Sequence, residues 1–464
     1  MPPNLLFITT DHQRADTLFM RQCGIEVTPR LNALAREGTQ YTRAYTTCPL
    51  CVPARTAMAT GLYPTRNGVV VNDWKGRSAG NHVPLHQHLA RAGYDVAHIG
   101  VHHVRLQPEL TERVAFSRFI SNDDYARWMN EQGQRDTEDT SAFKQPVWER
   151  QGPKRQRVHY SNAAVGRWPL DVELFMDSFF TDRAIDFLSM PRDRPLALFV
   201  CLWAPHPPLR LPAPYFELFN PDHIDLPEGL GQPALGEPSN RRQGIAAQLA
   251  EGMDESSWRR TWSAHLGLTR LADDLIGRLL DALEKVGMDD DTHVLFTCDH
   301  GDHLGQHGMY QKMELYEQAL RIPLLVRGPG IRAQQSDALV SHLDLLPTLL
   351  DLSDVASAYD LDGRSLALHL KESAPIPQRT LFAQYSGNPT LGDIRRGALT
   401  ERYKYVFDPD SPPELYDLRD DPLEMANIAS DQPALCAELH AACAAWHTAR
   451  GDWINYASQP IDSD

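Results

Sequence analysis

Five short apolar runs, each followed by polar or titratable residues, restrict the fold of this chain more than any other feature. They cover residues 5–10, 96–99, 196–202, 294–297 and 324–326. Continuous apolar runs of this length are typical of strands that are buried on both faces, as in a parallel sheet. Because such sheets bind ligands beyond the carboxyl ends of their strands, the residues after each run are the first candidates for chemistry.

Helical patterns lie between the apolar runs. Thr28, Pro29 and Leu31 have the order of a cap residue, a first-turn proline and the start of an apolar face. Residues 258–286 repeat leucine and isoleucine at helical spacing. Strands that alternate with helices predict an α/β fold, here a large mixed, mostly parallel sheet flanked by helices.

The chain changes character near residue 376. Three segments beyond this point have the composition of short antiparallel strands, and they cover residues 381–385, 397–401 and 403–407. A predicted helix follows at residues 433–450. We therefore predict a catalytic α/β domain over residues 1–375 and a smaller C-terminal α+β subdomain, with a small antiparallel sheet and a helix, over residues 376–464.

Charge and cysteine usage narrow the class of protein. The 464 residues carry a formal net charge of -16, which argues against nucleic-acid binding, since that needs a basic face. No apolar run is long enough to span a membrane, and the N-terminus lacks the pattern of a secretory signal, so we expect a cytoplasmic protein without a membrane partner. The 7 scattered cysteines are typical of reduced thiols rather than of a disulfide framework.

Carboxylates and imidazoles follow two of the predicted strands. Asp11 and His12 come after the first run, and Asp299 and His300 come after the fourth. Such pairs at neighbouring strand ends can hold a divalent cation. A single aspartate at such a place more often caps a following turn or helix, but two aspartates at the ends of two buried strands favour the metal site.

The most specific motif begins at Cys51 and reads Cys-Val-Pro-Ala-Arg, continuing to Thr60 and Gly61. It resembles the signature of the sulfatase family, Cys-x-Pro-x-Arg followed by a short helix and Thr-Gly. Further segments similar to the family occur in the family's order along nearly the whole chain; they are residues 4–13, 100–103, 204–206, 299–312, 321–330, 414–418 and 421–422. The resemblance implies a sulfatase of the alkaline phosphatase superfamily.

Taken alone, Cys51 has other interpretations. It could be a buried structural thiol, the partner of Cys48 in a redox pair, or half of a zinc site. No second cysteine pair lies nearby, and the spacing of Pro53 and Arg55 has no role in these alternatives.

The resemblance implies a nucleophile and a metal. In the family the cysteine is oxidised by a formylglycine-generating maturation enzyme, and the hydrated aldehyde attacks the ester. Asp11, Asp299 and His300 would bind one divalent ion together with the Cys51-derived oxygen, while His12 stands where the family often has a second aspartate. We expect Ca²⁺ first on family grounds, with Mn²⁺, Mg²⁺ or Zn²⁺ as alternatives because imidazoles suit these ions better.

The resemblance also assigns the remaining catalytic groups. Arg55 would fix the nucleophile and offset anionic charge, since residues four apart share a helix face. Lys312 and His206 match family residues that face the sulfate and the leaving group, and either could be the general acid. His103 matches the histidine that takes the last proton.

Two positions near the predicted site depart from the family pattern or match it weakly. Val101 stands where a lysine is common, so we expect His102 or Arg105 to supply the missing charge to the substrate. Asn72 matches, more weakly, a substrate-contacting asparagine of related phosphonate hydrolases.

Hydrolysis of a small-molecule or saccharide sulfate ester is therefore the first functional hypothesis. Phosphonate monoester or phosphodiester hydrolysis on the same scaffold is the alternative, and a catalytically silent binding protein is the third. Residues 107–168, rich in charged and aromatic residues, are expected to shape the specificity pocket rather than the core of the sheet. A sugar, choline-like or aryl sulfate all remain open, as does the oligomeric state, including a homo-oligomer.

Overall fold

The computed structural model of the protein describes residues 2–72, 79–80, 82–134 and 140–456. Its strands, in chain order, are β1 Asn4–Thr10, β2 Arg21–Gln22, β3 Ile25–Glu26, β4 Thr39–Tyr45, β5 Asp95–Gly100, β6 Arg118–Ile120, β7 Lys144–Gln151, β8 Lys154–Ser161, β9 Val165–Arg167, β10 Leu196–Cys201, β11 Leu209–Leu211, β12 Thr292–Cys298, β13 Arg321–Arg327, β14 Gln334–Ser336, β15 Val340–Ser341, β16 Leu381–Tyr385, β17 Arg395–Leu399, β18 Tyr403–Phe407 and β19 Glu414–Asp417.

The helices surround these strands and vary from one turn to 31 residues in length. They are α1 Pro29–Glu37, α2 Cys51–Thr60, α3 Pro64–Asn67, α4 Leu85–Arg91, α5 Leu110–Arg113, α6 Asn122–Glu131, α7 Met176–Leu188, α8 Tyr215–Leu218, α9 Ile245–Ala250, α10 Glu255–Lys285, α11 Glu317–Leu320, α12 Leu345–Leu352, α13 Ala367–Glu372 and α14 Pro433–Thr448. Within the described ranges, no helix is both long and apolar enough to cross a bilayer.

A nine-stranded sheet forms the centre of the molecule, in the order β14-β4-β13-β12-β1-β10-β5-β6, with β15 also paired to β4. β1 runs parallel to both β10 and β12, and β5 runs parallel to β10 and β6. β13 is antiparallel to its two neighbours. The prediction of a large mixed, mostly parallel sheet is confirmed, and all five apolar runs lie in its strands except for Leu202, which directly follows β10.

The sheet is buried on both faces, as its continuous apolar runs predict. Leu6 and Ile8 of β1 pack into one hydrophobic cluster with residues of α1, α7 and α10. Leu5 and Phe7 point to the opposite face and join a second cluster with residues of α2, α4 and α12. Helices on both faces leave the edge at which the strands end as the place for a site.

The C-terminal part has the predicted antiparallel sheet, with strand order β16-β17-β18-β19, and the predicted helix α14. β17 ends at Leu399, because a turn closed by the backbone bond from Thr400 to Tyr403 follows it. β19 has no counterpart in the prediction. The division of the chain at residue 375 stays a prediction.

Residues 107–168 contribute an edge strand to the central sheet, since β6 pairs with β5 at the end of the strand order. The described part of this segment also contains α5, α6, β9 and the hairpin of β7 and β8, whose tip is exposed. That the segment shapes the specificity pocket stays a prediction.

Candidate active site

Two neighbouring parallel strands place the predicted acids side by side. Thr10 at the end of β1 pairs in register with Cys298 at the end of β12, so Asp11 and Asp299 leave the sheet together. Both aspartates are fully buried. His12 follows with a φ of +66°, a left-handed conformation that is uncommon for a residue with a side chain and is often found at functional sites.

Cys51 is the first residue of α2 and is only 4 % exposed. Its Sγ lies 3.7 Å from Asp11 Oδ1 and 3.3 Å from His300 Nε2. Lys312 Nζ is 2.7 Å from the same sulfur. A nucleophile formed at residue 51 would therefore have carboxylate, imidazole and ammonium groups within direct reach.

Arg55 stands one helical turn after Cys51 and bridges the two acids. Its Nε donates to Asp299 Oδ2 at 2.8 Å, and its Nη2 donates to Asp11 Oδ2 at 3.1 Å. Burial and the charge of Asp299 raise the pKa of Asp11 to about 7. Burial alone would also raise the pKa of Asp299, but the charges of Arg55 and Lys312, the nearby His300 and the hydrogen bond from Arg55 together outweigh burial and lower that pKa. Arg55 offsets one of the two negative charges, so the other favours a further cation nearby.

Four groups at this position could hold a metal ion. The candidate ligand atoms of Asp11, His12, Cys51 and His300 all lie within 4.8 Å of one another. Asp299 stands beside this group, with its Oδ1 3.7 Å from His300 Nε2. Lys312 Nζ, 2.7 Å from His12 Nε2, places a positive charge among these donors.

The two histidines are oriented as metal ligands usually are. His12 Nδ1 lies 2.7 Å from Asp302 Oδ2, and His300 Nδ1 lies 3.0 Å from the carbonyl oxygen of Gly301. Donation from Nδ1 to these acceptors leaves the Nε2 lone pairs directed at the cluster. Burial lowers the pKa of both rings, which keeps them neutral. The donor set therefore fits a divalent cation.

His206 lies beyond the cluster on the segment after β10. Its ring centroid is 4.4 Å from that of His12 and 3.8 Å from that of Trp203. Its Nδ1 contacts the carbonyl oxygen of Pro207, so Nδ1 carries the proton and Nε2 accepts. Burial lowers the pKa of His206, and the nearby Lys312 lowers it further.

The two histidines that follow β5, His102 and His103, lie in different surroundings. His103 is buried, with its ring 6.2 Å from Trp203, and it lines a small cavity that Arg55 also lines. His102 packs instead against Phe119, at 5.3 Å, away from the described contacts of Cys51. Arg105 Nη1 lies 3.5 Å from Glu109 Oε1, in an ion pair. The contacts in the structure thus place His103, rather than His102 or Arg105, beside the cluster.

Asn72 lies next to the start of α2 and is part of a polar chain. Its Oδ1 accepts the backbone N–H of Val52 at 3.1 Å, and its Nδ2 donates to Asn388 Oδ1 at 2.7 Å. Asn388 in turn donates to the hydroxyl of Tyr160 at 3.1 Å.

Sequence patterns assigned no role to Asp302, Asn388 or Tyr160. Asp302 closes the Asp-His-Gly-Asp order of residues 299–302, and this order is a signal for a further acid at the site. Asn388 and Tyr160 come from distant parts of the chain and belong to no recognisable motif.

The Sulfatase family model matches residues 3–355, more than half of the chain. The chain belongs to the sulfatase family. Membership confirms the predicted family and the prediction that this sulfatase is an enzyme of the sulfuric ester hydrolase class. A second family model, described as N-sulphoglucosamine sulphohydrolase, C-terminal, matches residues 305–445.

Several known proteins are similar to this sulfatase over nearly its full length. The multifunctional alkaline phosphatase superfamily protein PehA of Trinickia caryophylli is 29% identical, with 98% of each chain covered. The choline-sulfatase of Rhizobium meliloti (strain 1021) is 28% identical and covers 96% of this chain and 87% of its own. The structure of the phosphonate monoester hydrolase of Agrobacterium radiobacter matches with a TM-score of 0.77 at 22% identity, covering 97% of this chain and 96% of its own, which shows the shared fold.

Proposed function

We propose that this sulfatase hydrolyses a small-molecule or saccharide sulfate ester, with a formylglycine derived from Cys51 as nucleophile and one divalent ion beside it. The observation that carries the proposal is the position of Cys51 Sγ, which touches Asp11, His300 and Lys312 at the start of α2. The hydrated aldehyde would supply the attacking hydroxyl, and a bound ion would offset negative charge and lower the pKa of that hydroxyl.

Asp11, His12, Asp299, His300 and the residue 51 side chain would hold the ion. The sulfur of Cys51 stands where the formylglycine oxygen would lie. We keep Ca²⁺ as the first assignment on family grounds, with Mn²⁺, Mg²⁺ and Zn²⁺ as alternatives. Two imidazole donors argue for one of the alternatives, because Ca²⁺ prefers an all-oxygen shell.

Cationic side chains would position the anionic ester and the nucleophile. Arg55, held by Asp11 and Asp299, faces residue 51 from within α2 and would orient its hydroxyl. Lys312 is close enough to residue 51 to bind a sulfate oxygen there. Asn72, fixed by Val52 and Asn388, is the proposed polar contact on the substrate side.

Proton transfers are assigned to Lys312 and His103, and His206 has an orienting role. Lys312 Nζ and the ring of His206 both lie against His12, and an ammonium at Lys312 would donate the proton that the leaving oxygen needs. His206, neutral with Nε2 as an acceptor, would orient that oxygen once it is protonated. His103 would accept the proton released as sulfate leaves residue 51.

A pair of cysteine variants tests the nucleophile. Cys51→Ala is expected to abolish turnover of an aryl sulfate while leaving the melting temperature near that of the wild type. Cys48→Ala is the matched control, since Cys48 is equally buried and belongs to the same Cys-x-x-Cys. Activity that survives Cys51→Ala would refute the mechanism, and activity lost equally in both variants would favour a redox pair.

Phosphonate monoester or phosphodiester hydrolysis is the second candidate function. The name of the structural relative from Agrobacterium radiobacter favours it, as does the place of Asn72 beside α2. Rates on an aryl sulfate and an aryl phosphonate with the same leaving group decide between the two. A higher kcat/KM on the sulfate is expected, and the reverse order would make the phosphonate the substrate class.

A further inference from the structure

Lys312 lies in a segment that is held by side-chain contacts rather than by regular secondary structure. Residues 311–316, all of which the structure describes, contain neither helix nor strand. Gln311 and Met313, on either side of Lys312, have φ values of +67° and +87°, in the left-handed region that residues with a side chain rarely adopt. Such conformations persist only where surrounding contacts impose them, so the contacts of this segment decide where Lys312 Nζ lies.

The C-terminal antiparallel sheet supports one side of this segment. Met313 and Leu315 belong to the same hydrophobic cluster as Leu399 of β17. A Cβ at Gly397 of β17 would lie 3.2 Å from Leu315 Cδ1, so the segment and the sheet are in close contact. The segment that carries Lys312 therefore packs directly on β17.

One ion pair fixes the segment to the sheet. Glu314 is buried, and its Oε2 and Oε1 accept hydrogen bonds from Arg395 Nε at 3.1 Å and from Arg395 Nη2 at 3.3 Å. Two parallel hydrogen bonds between a guanidinium and a carboxylate set both the distance and the orientation of the carboxylate. Arg395 is itself held, because its Nη1 lies 2.9 Å from Asp408 Oδ2. The position of Glu314, two residues after Lys312, is therefore fixed from β17.

The start of the segment is anchored independently of the sheet. The backbone N–H of Gln311 donates to Asp302 Oδ1 at 3.0 Å, and its side-chain Nε2 donates to the carbonyl oxygen of Ser161, at the end of β8, at 2.6 Å. Loss of the ion pair with β17 would therefore free only the part of the segment after Lys312. A displacement of Lys312, rather than collapse of the site, is the expected consequence.

We propose that Arg395 is a positioning residue for Lys312, so that the C-terminal sheet sets the distance between the Lys312 ammonium and residue 51 through Glu314. The inference rests on the proposed function for the role of Lys312 as a proton donor. Lys312 Nζ lies 2.7 Å from Cys51 Sγ, so a small shift of the segment breaks this contact. A displacement of about 1 Å at a catalytic group can lower a rate about 100-fold.

Arg395→Lys tests the proposal, with Arg396→Lys as its matched control. Lysine keeps the positive charge beside Glu314 but cannot form the two parallel hydrogen bonds. Arg396, the next residue of β17, is equally buried, and its Nε and Nη2 donate to the two carboxylate oxygens of Asp452 at 2.6 Å and 3.0 Å. A loss that comes only from replacing a buried, paired arginine in this strand therefore occurs in both variants.

Crystal structures of the two variants, with residue 51 left as cysteine, measure the position of Lys312 without reference to activity. We expect the distance between Lys312 Nζ and Cys51 Sγ to lengthen by about 1 Å or more in Arg395→Lys and to stay as in the wild type in Arg396→Lys. An unchanged distance in Arg395→Lys, or the same displacement in both variants, would overturn the proposal.

A second pair of variants decides the matter if Arg395→Lys does not fold. Glu314→Gln keeps the shape of the side chain but leaves one acceptor oxygen for the two guanidinium donors of Arg395. Asp452→Asn makes the same change at Arg396 and is its control. The displacement of Lys312 is again expected in the first variant and not in the second, and its absence from a folded Glu314→Gln would overturn the proposal.

Turnover separates this inference from the proposed function. A general acid matters most for a poor leaving group, so Arg395→Lys should lower kcat on phenyl sulfate about tenfold more than kcat on 4-nitrophenyl sulfate. Arg396→Lys should leave the ratio of the two rates unchanged. If Lys312 moves in Arg395→Lys but both rates fall equally, or if the mature wild type cleaves no sulfate ester, then the positioning of Lys312 by Arg395 stands and the proposed function of Lys312 fails.

Discussion

Asp302→Asn is the substitution whose effect can be worked out most fully from the structure. Asp302 Oδ1 accepts the backbone N–H groups of Leu304 at 2.9 Å and Gln311 at 3.0 Å, while Oδ2 lies 2.7 Å from His12 Nδ1. Asparagine has one carbonyl oxygen, and the two backbone donors would hold it at the Oδ1 position. The amide NH₂ would then face His12 Nδ1.

Two donors cannot face each other, so His12 would change tautomer. Nδ1 would become the acceptor, and the proton would move to Nε2, the atom that faces Lys312 and the candidate metal ligands. A protonated Nε2 cannot bind a cation. Loss of such a supporting contact typically costs 10–100-fold in metal affinity, or about 1.4–2.7 kcal/mol.

Metal titration of the stripped protein measures this effect. We expect the Kd for Mn²⁺, measured by the electron paramagnetic resonance signal of the unbound ion, to rise about 10–100-fold in Asp302→Asn. Asp273→Asn is the matched control, because Asp273 is also fully buried and accepts two backbone N–H groups, but at the start of α1. A folded Asp302→Asn with wild-type affinity would refute the role of His12 as a ligand.

Three further outcomes are expected. Arg55→Met should lower the free energy of unfolding by about 3–5 kcal/mol, because two buried carboxylates lose their cation, and an unchanged denaturation midpoint would contradict this. Burial raises the pKa of Asp273 from 3.8 to about 7. The protonated carboxyl therefore stabilises the fold fully below pH 3.8, and this contribution is lost as the pH rises to 7. The difference in the free energy of unfolding between the wild type and Asp273→Asn should narrow over that range, and a difference that widens would contradict the direction of the pKa shift. Gly301→Ala should lower both melting temperature and activity, since a Cβ there would lie 2.0 Å from the carbonyl oxygen of Gln318; wild-type values for both would show that the backbone accommodates it.

The sequence predicted the sheet and the convergence of its acids because both depend on local patterns. The apolar runs at residues 5–10 and 294–297 identify two buried strands, and parallel pairing then brings Asp11 and Asp299 to one edge. The position of Cys51 and Arg55 on one face of a helix follows from their spacing of four residues. These inferences need only the spacing of residues within helices and strands and the parallel direction of the strands.

Other features depend on contacts between distant segments, which no local pattern encodes. His102 and His103 are adjacent in the sequence, but the packing of Phe119 against His102 decides which one lies near the cluster. The contact of Asn388 with Asn72 spans 316 residues. The packing of α6 against α7, as in the contact of Tyr125 with Phe179, is a further example, since residues 107–168 show no period that would reveal it.

The chemical state of residue 51 tests the central claim most directly. The measurement is the mass of the peptide that contains residue 51, taken from enzyme produced with a formylglycine-generating maturation enzyme and assayed for sulfate ester hydrolysis. The account predicts that sulfur and two hydrogens are exchanged for one oxygen, in a fraction that tracks the activity. Full activity in enzyme whose residue 51 is entirely an unmodified thiol would contradict it.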